Sequence, residues 1–125
     1  MANILLIDDE LVLLTLMSTA LRRDGHTVTA LSDPLAALAV QAGGQVPIDL
    51  IVTDISMKPI SGFQLVNRII GEGFAGPVLF TSGYPAFSDT IAHSLGVHSV
   101  LEKPFTVAQL ETAVRRALKR GARET

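Results

Sequence analysis

Apolar runs of strand length alternate along this chain with longer segments of helical period. Ile4 to Ile7 is a short continuous apolar run that stops at Asp8-Asp9. Leu11 to Arg23 repeats apolar side chains at helical spacing and ends before Gly25, which predicts a first helix. Thr27 to Leu31 alternates polar and apolar positions, as a half-exposed edge strand does. Ser32-Asp33-Pro34 supplies a cap and an N1 proline for a second helix to about Ala42, and Gly43-Gly44 stops it. Ile48 to Thr53 reads as a buried strand ending at Asp54. Ser61 and Gln64 have capping-box spacing and open a third helix to about Glu72. Val78 to Thr81 is a strand before Ser82-Gly83, Phe87 to Leu95 a shorter fourth helix, and Ser99 to Leu101 a last strand. A second capping box, Thr106 with Gln109, opens a fifth helix to about Arg120.

Five strand–helix units in succession predict an α/β fold, with a parallel sheet covered by helices on both faces. Nearly apolar strands 1, 3 and 4 beside an alternating strand 2 favour a flavodoxin-like, doubly wound five-stranded sheet of order 2-1-3-4-5 with five helices. Composition alone does not separate that order from a small Rossmann-type sheet. The 125 residues fit a single domain, 1–125, with no output domain expected. An apolar fraction of 48% is enough for a real core. A formal charge of −2 supplies no strong field toward nucleic acid or acidic membranes. The absence of cysteine excludes disulfides and zinc–thiolate sites and suits a reducing compartment. No leader pattern or membrane-length apolar run is present, so a cytoplasmic protein is expected.

In open parallel sheets, sites form at the carboxyl ends of the strands. Strand 1 ends in Asp8-Asp9, strand 3 in Asp54 and strand 4 in Ser82, and Lys103 follows strand 5. Three carboxylates in one crevice repel, each pair by roughly 4 kcal/mol at an effective dielectric near 20. A lysine or a cation must neutralise them. Oxygen ligands without His or Cys suit Mg²⁺. A carboxylate beside Mg²⁺ and lysine can attack a phosphoryl donor and become an acyl phosphate.

The ordered set Asp8-Asp9, Asp54, Ser82-Gly83 and Lys103-Pro104-Phe105 resembles the response-regulator receiver family over the whole chain. Asp54-Ile55-Ser56-Met57, with Gly62 eight residues after Asp54, resembles that family's phosphoacceptor loop. The resemblance implies that Asp54 accepts the phosphoryl group and that Asp8 and Asp9 bind Mg²⁺, directly or through water. The Ser56 carbonyl would be a further metal ligand, Ser82 would hydrogen-bond the phosphoryl group and Lys103 would ion-pair with it. It also implies a cis bond before Pro104, and positions 56 and 84 (here Ser56 and Tyr84) that tune phosphoryl lifetime. The implied partners are a sensor histidine kinase or phosphotransfer protein and a downstream protein. The latter would be met through the face of the fourth helix, fifth strand and fifth helix. Neither direct nucleic-acid binding nor a membrane role is implied, and the expected state is a monomer or a weak phosphorylation-dependent dimer.

Two departures stand out. Lys58 holds the place where the family commonly has proline, with Pro59 next, and Val100 holds the usual place of an aromatic switch residue. Taken singly, the motif residues have plainer readings. Asp8-Asp9 can cap a helix, Asp54 can sit in a turn, and Thr81 competes with Ser82 as the site hydroxyl. His26, His93 and His98 lack metal spacing or an acidic helper in sequence and read as surface or loop residues. The basic run Arg115 to Arg123 reads as a solvated helix end. In the first helix, the stripe Leu13, Leu16, Met17, Ala20 and Leu21 predicts the core face. Leu11 and Leu14 are left on a neighbouring face, which either is exposed to dock the phosphodonor or fills loop-covered core. The rival functions are an aspartyl-nucleophile phosphatase, a pseudo-receiver that works without phosphorylation, and a phosphate sink. The phosphatase is disfavoured because Ser56 stands where a second Asp is wanted.

Overall fold

The computed structural model describes residues 1–44, 47–83 and 99–124. Five parallel strands form one sheet: β1 (Asn3–Ile7), β2 (Thr27–Leu31), β3 (Leu50–Asp54), β4 (Val78–Ser82) and β5 (Ser99–Glu102). Their order is β2-β1-β3-β4-β5, the flavodoxin-like arrangement expected from the strand patterns. The described helices are α1 (Leu11–Arg23), α2 (Pro34–Gly43), α3 (Gly62–Gly71) and the C-terminal α4 (Val107–Glu124). The helix expected over Phe87 to Leu95 lies outside the described residues, as do Tyr84, His93 and His98. The described residues therefore carry four helices, where five were expected.

Strand alternation divides the core in two. Leu5, Ile7, Ile51, Val78 and Phe80 pack with α2 and α3 on one face. Ile4, Leu6, Leu50, Val52 and Leu79 pack with α1 and α4 on the other. Central β1, β3 and β4 are buried almost throughout, whereas the edge strands β2 and β5 are only half covered. The local stop and start signals act as their chemistry dictates. Asp33 caps α2 by accepting from the Leu35 N–H, and Gly44 ends it at φ 63°. Ser61 and Gln64 close a reciprocal capping box on α3, and Thr106 and Gln109 do the same before α4.

The phase of α1 differs from the expected one. Leu14, Met17, Ser18, Ala20 and Leu21 are buried, while Leu11 and Leu16 are 65% and 53% exposed. Leu14 thus fills core, the plainer of its two readings, and Leu16 lies on the surface, contrary to the expected core stripe. The reason is Ser18: a polar residue occupies the inward face, its hydroxyl satisfied by donating to the Thr15 carbonyl at 3.1 Å. His26 lies in a loop, as expected, and is half-buried there. It sits in the α1–β2 turn, its Nδ1 accepting from the Ala2 N–H at 3.2 Å and its Nε2 3.8 Å from Asp24. Asp24, two residues earlier in the chain, is an acidic neighbour that the sequence reading overlooked. Arg115 reaches Asp24 at 2.7 Å, and Arg115, Arg116, Lys119 and Arg120 line an exposed helix face.

The revised phase makes a quantitative prediction. Leu14→Ala should lower stability by about 2–4 kcal/mol in urea unfolding, because it empties core. Leu16→Ala should stay within about 0.5 kcal/mol of the parent. Equal losses at the two positions would contradict the observed orientation.

Candidate phosphoryl and metal site

Three strand ends and one loop converge at the carboxyl edge of the sheet. Asp8 follows β1, Asp54 closes β3, Ser82 closes β4, and Lys103 follows β5. Register brings them together: Ile7 lies beside Thr53, Asp54 beside Thr81, and Ser82 beside Glu102. Lys103 Nζ lies 3.0 Å from Asp8 Oδ2 and 3.2 Å from Asp54 Oδ2. The Lys103 N–H donates to the Ser82 carbonyl at 2.7 Å, which fixes the loop that carries the ammonium.

Asp8 is fully buried and Asp54 nearly so, while Asp9 is exposed. Asp8 divides its oxygens. Oδ1 accepts from the Glu10 N–H at 2.8 Å, and Oδ2 takes Lys103. Asp8 therefore ties down the entry to α1 and also faces the crevice. Among the described residues, Asp54 Oδ1 has only a long contact, 3.4 Å, with the Ser56 N–H. Burial holds the Asp54 carboxyl above the ordinary aspartate value; Lys103 opposes that rise and Asp8 adds to it. Burial draws the Lys103 ammonium down, but its hydrogen bond to Asp8 and the charges of Asp8 and Asp54 outweigh burial and lift it.

Asp8, Asp9 and Asp54 each offer an oxygen within 4.8 Å of the others. Three carboxylates against one ammonium leave two negative charges, and hard oxygen donors are what a divalent cation of the Mg²⁺ type takes. The donor set fits such an ion. Ser56 is exposed at the crevice mouth, two residues beyond Asp54.

The loop after Asp54 is held by a close backbone approach. A Cβ on Gly62 would collide with the Asp54 carbonyl oxygen and lie 3.1 Å from Ile55 Cα. The Gly62 N–H donates to the Ile55 carbonyl at 2.8 Å. The start of α3 thus rests directly on the backbone of Asp54, and only glycine permits it. Peptide bonds before both Pro59 and Pro104 are cis; the second was expected and the first was not.

Beside the site, Glu10, Val12, Leu13, Leu16, Lys103, Pro104 and Phe105 line a groove of about 370 Å³. Leu16 and Val12 were missed as surface residues. The signal available was the competing apolar stripe through Leu14 and Met17.

Removing the ammonium should expose the carboxylate repulsion. In metal-free buffer near neutral pH, Lys103→Met should be about 2–3 kcal/mol less stable than the parent. The buried Asp54 carboxyl, already raised by burial, then binds its proton more tightly folded than unfolded, so stability rises as pH falls toward about 5. Added Mg²⁺ should also recover part of the loss. A deficit unchanged by pH and by Mg²⁺ in urea titrations would show that only the lysine stem matters.

Residues 4–115 match the family model described as the response regulator receiver domain. Among curated relatives, the transcriptional regulatory protein TcrA of Mycobacterium tuberculosis is 33% identical over 120 residues, covering 95% of this chain and 47% of that protein. The chain spans about half the length of the curated relatives it matches first. A receiver domain protein from Clostridium thermocellum superposes with a TM-score of 0.89 at 27% identity, over all of both chains. A receiver protein from Sinorhizobium medicae superposes at 0.79 with 36% identity over 94% of each. The match to the receiver model over nearly the whole chain, on a sheet whose carboxyl edge gathers Asp8, Asp54 and Lys103, places this chain in the response regulator receiver family of two-component systems.

Proposed function

We propose that this receiver accepts a phosphoryl group on Asp54 from a histidine kinase or phosphotransfer protein and acts as a signalling switch. The observation that carries the reading is the single ammonium of Lys103 shared between buried Asp8 and Asp54. It holds Asp54 in place within the crevice and favours its charged form, while one Asp54 oxygen has only a long contact among the described residues.

Asp8, Asp9, Asp54 and the Ser56 carbonyl would hold Mg²⁺, which would supply compensation for charge on the phosphoryl oxygens. The rest belongs to the chain. An Asp54 oxygen forms the bond to phosphorus as the phosphorus–nitrogen bond of the donor histidine breaks, and the imidazole leaves with the electron pair. Lys103 pairs with the incoming phosphoryl oxygens, and the Ser82 hydroxyl donates to one of them. Hydrolysis returns Asp54 to a carboxylate. The chemistry amounts to modest self-catalysis within a switch.

The added charge of nearly two units is the input to that switch. Pulled toward the phosphoryl group, Lys103 and Ser82 draw on β5 and β4, which bias the face around β5 and α4 toward a downstream protein. Val100 is half-buried against the α2–α3 core, so rotation of a buried aromatic at that position is not the device. For the phosphodonor, the groove between α1 and Pro104-Phe105 offers exposed Val12 and Leu16 next to Lys103. This is where an apolar surface of the donor would dock.

Two outcomes test the reading. Incubation with acetyl phosphate and Mg²⁺ should add one phosphoryl group by intact mass, and Asp54→Asn or omission of Mg²⁺ should abolish it; uptake by Asp54→Asn would sink the assignment. Leu16→Asp should slow transfer from a cognate kinase about ten-fold or more while sparing transfer from acetyl phosphate. Equal slowing of both would remove α1 from docking.

A further inference from the structure

The end of β4 carries two adjacent hydroxyls, Thr81 and Ser82, and strand alternation sends them to opposite faces of the sheet. Ser82 follows Phe80 toward α2 and α3, whereas Thr81 follows Leu79 toward α1 and α4. β3 sets Asp54 in register with Thr81. Asp54 follows Val52, and Asp8 follows Leu6, toward Thr81's face. Neighbouring strands stand roughly 5 Å apart. The Thr81 hydroxyl is therefore the lateral neighbour of Asp54 on the side where Lys103 bridges the two carboxylates. Thr81 is 1% exposed, and among the described residues its Oγ1 has no hydrogen-bond partner. An unpaired hydroxyl in that place is costly, and valine would fill a strand position of the same shape without the cost.

We propose that Thr81 is a positioning residue whose hydroxyl bonds the Asp54 carboxyl oxygen at the moment Lys103 is engaged by the phosphoryl group. This rests on the reading of Asp54 as phosphoacceptor. At rest, Lys103 serves Asp54 Oδ2 at 3.2 Å and the hydroxyl is not needed. When the phosphoryl group is present, the ammonium is shared with its oxygens. On hydrolysis, a water oxygen bonds to phosphorus, the phosphorus–oxygen bond to Asp54 breaks, and its electron pair returns to the carboxyl group. The water proton passes to solvent. Charge thus develops on Asp54 while Lys103 is still drawn outward, and Thr81 rotates to donate to it. Ser82 serves the phosphoryl oxygens and Thr81 the carboxyl oxygens. Capture of a phosphoryl group passes through a similar distribution of charge, so the hydroxyl speeds gain and loss alike.

Thr81→Val and Thr81→Ser, beside the parent, test this with acetyl phosphate and Mg²⁺, following phosphoryl gain and loss by intact mass. Thr81→Val should slow both rates about five-fold, and Thr81→Ser should restore them to within about two-fold. Thr81→Val should also raise the thermal midpoint of the unphosphorylated protein by about 3 °C, since the hydroxyl has no partner among the described residues. Parent-like rates in Thr81→Val, or equal slowing in Thr81→Val and Thr81→Ser, would overturn the inference while leaving Asp54 as acceptor. Failure of the parent itself to take up a phosphoryl group would bring down both.

Discussion

One ammonium set between two buried carboxylates is the contact on which this molecule's site depends. Asp8 and Asp54 leave from adjacent strands, and the parallel register that packs Ile4 to Ile7 against Leu50 to Thr53 forces their tips together. Hydrophobic packing thereby creates an electrostatic problem that packing cannot solve. Lys103 resolves it from two strands away, at 3.0 and 3.2 Å. Because only one positive charge meets three carboxylates, the site remains anionic and ready for a divalent ion.

The surroundings of that contact are built to keep it in place without filling it. Gly62 lets α3 begin directly on the Asp54 backbone, and the Lys103 N–H is tied to Ser82. The crevice floor is thus backbone-held, while one Asp54 oxygen has, among the described residues, only a long 3.4 Å partner. Rigidity sits in the strands and freedom in the side chains. A phosphoryl group would change the balance of charge without unfolding any element, which is what a reversible signal requires.

Much of this was legible in the sequence because the deciding features are local. The capping boxes at Ser61 and Thr106, the Asp33-Pro34 start and the Gly44 stop each act within a few residues. The strands read clearly because both faces of β1, β3 and β4 are covered, so their sequences are continuously apolar. The convergence of Asp8, Asp9, Asp54, Ser82 and Lys103 followed once strand order was taken as 2-1-3-4-5. Non-local features were not legible. Six apolar residues from Leu11 to Met17 allow two stripes, and the true one runs past Ser18, whose hydroxyl is hidden by a bond to its own helix. That Thr81 has no hydroxyl partner among the described residues is visible only in three dimensions.

The central claim is that this charge arrangement makes Asp54, and neither Asp8 nor Asp9, the residue that carries phosphorus. Borohydride reduction of protein treated with a phosphodonor converts an acyl phosphate at an aspartate to homoserine, which peptide mass spectrometry then locates. The account predicts homoserine at position 54 alone. Homoserine at position 8 or 9, with position 54 unchanged, would contradict it.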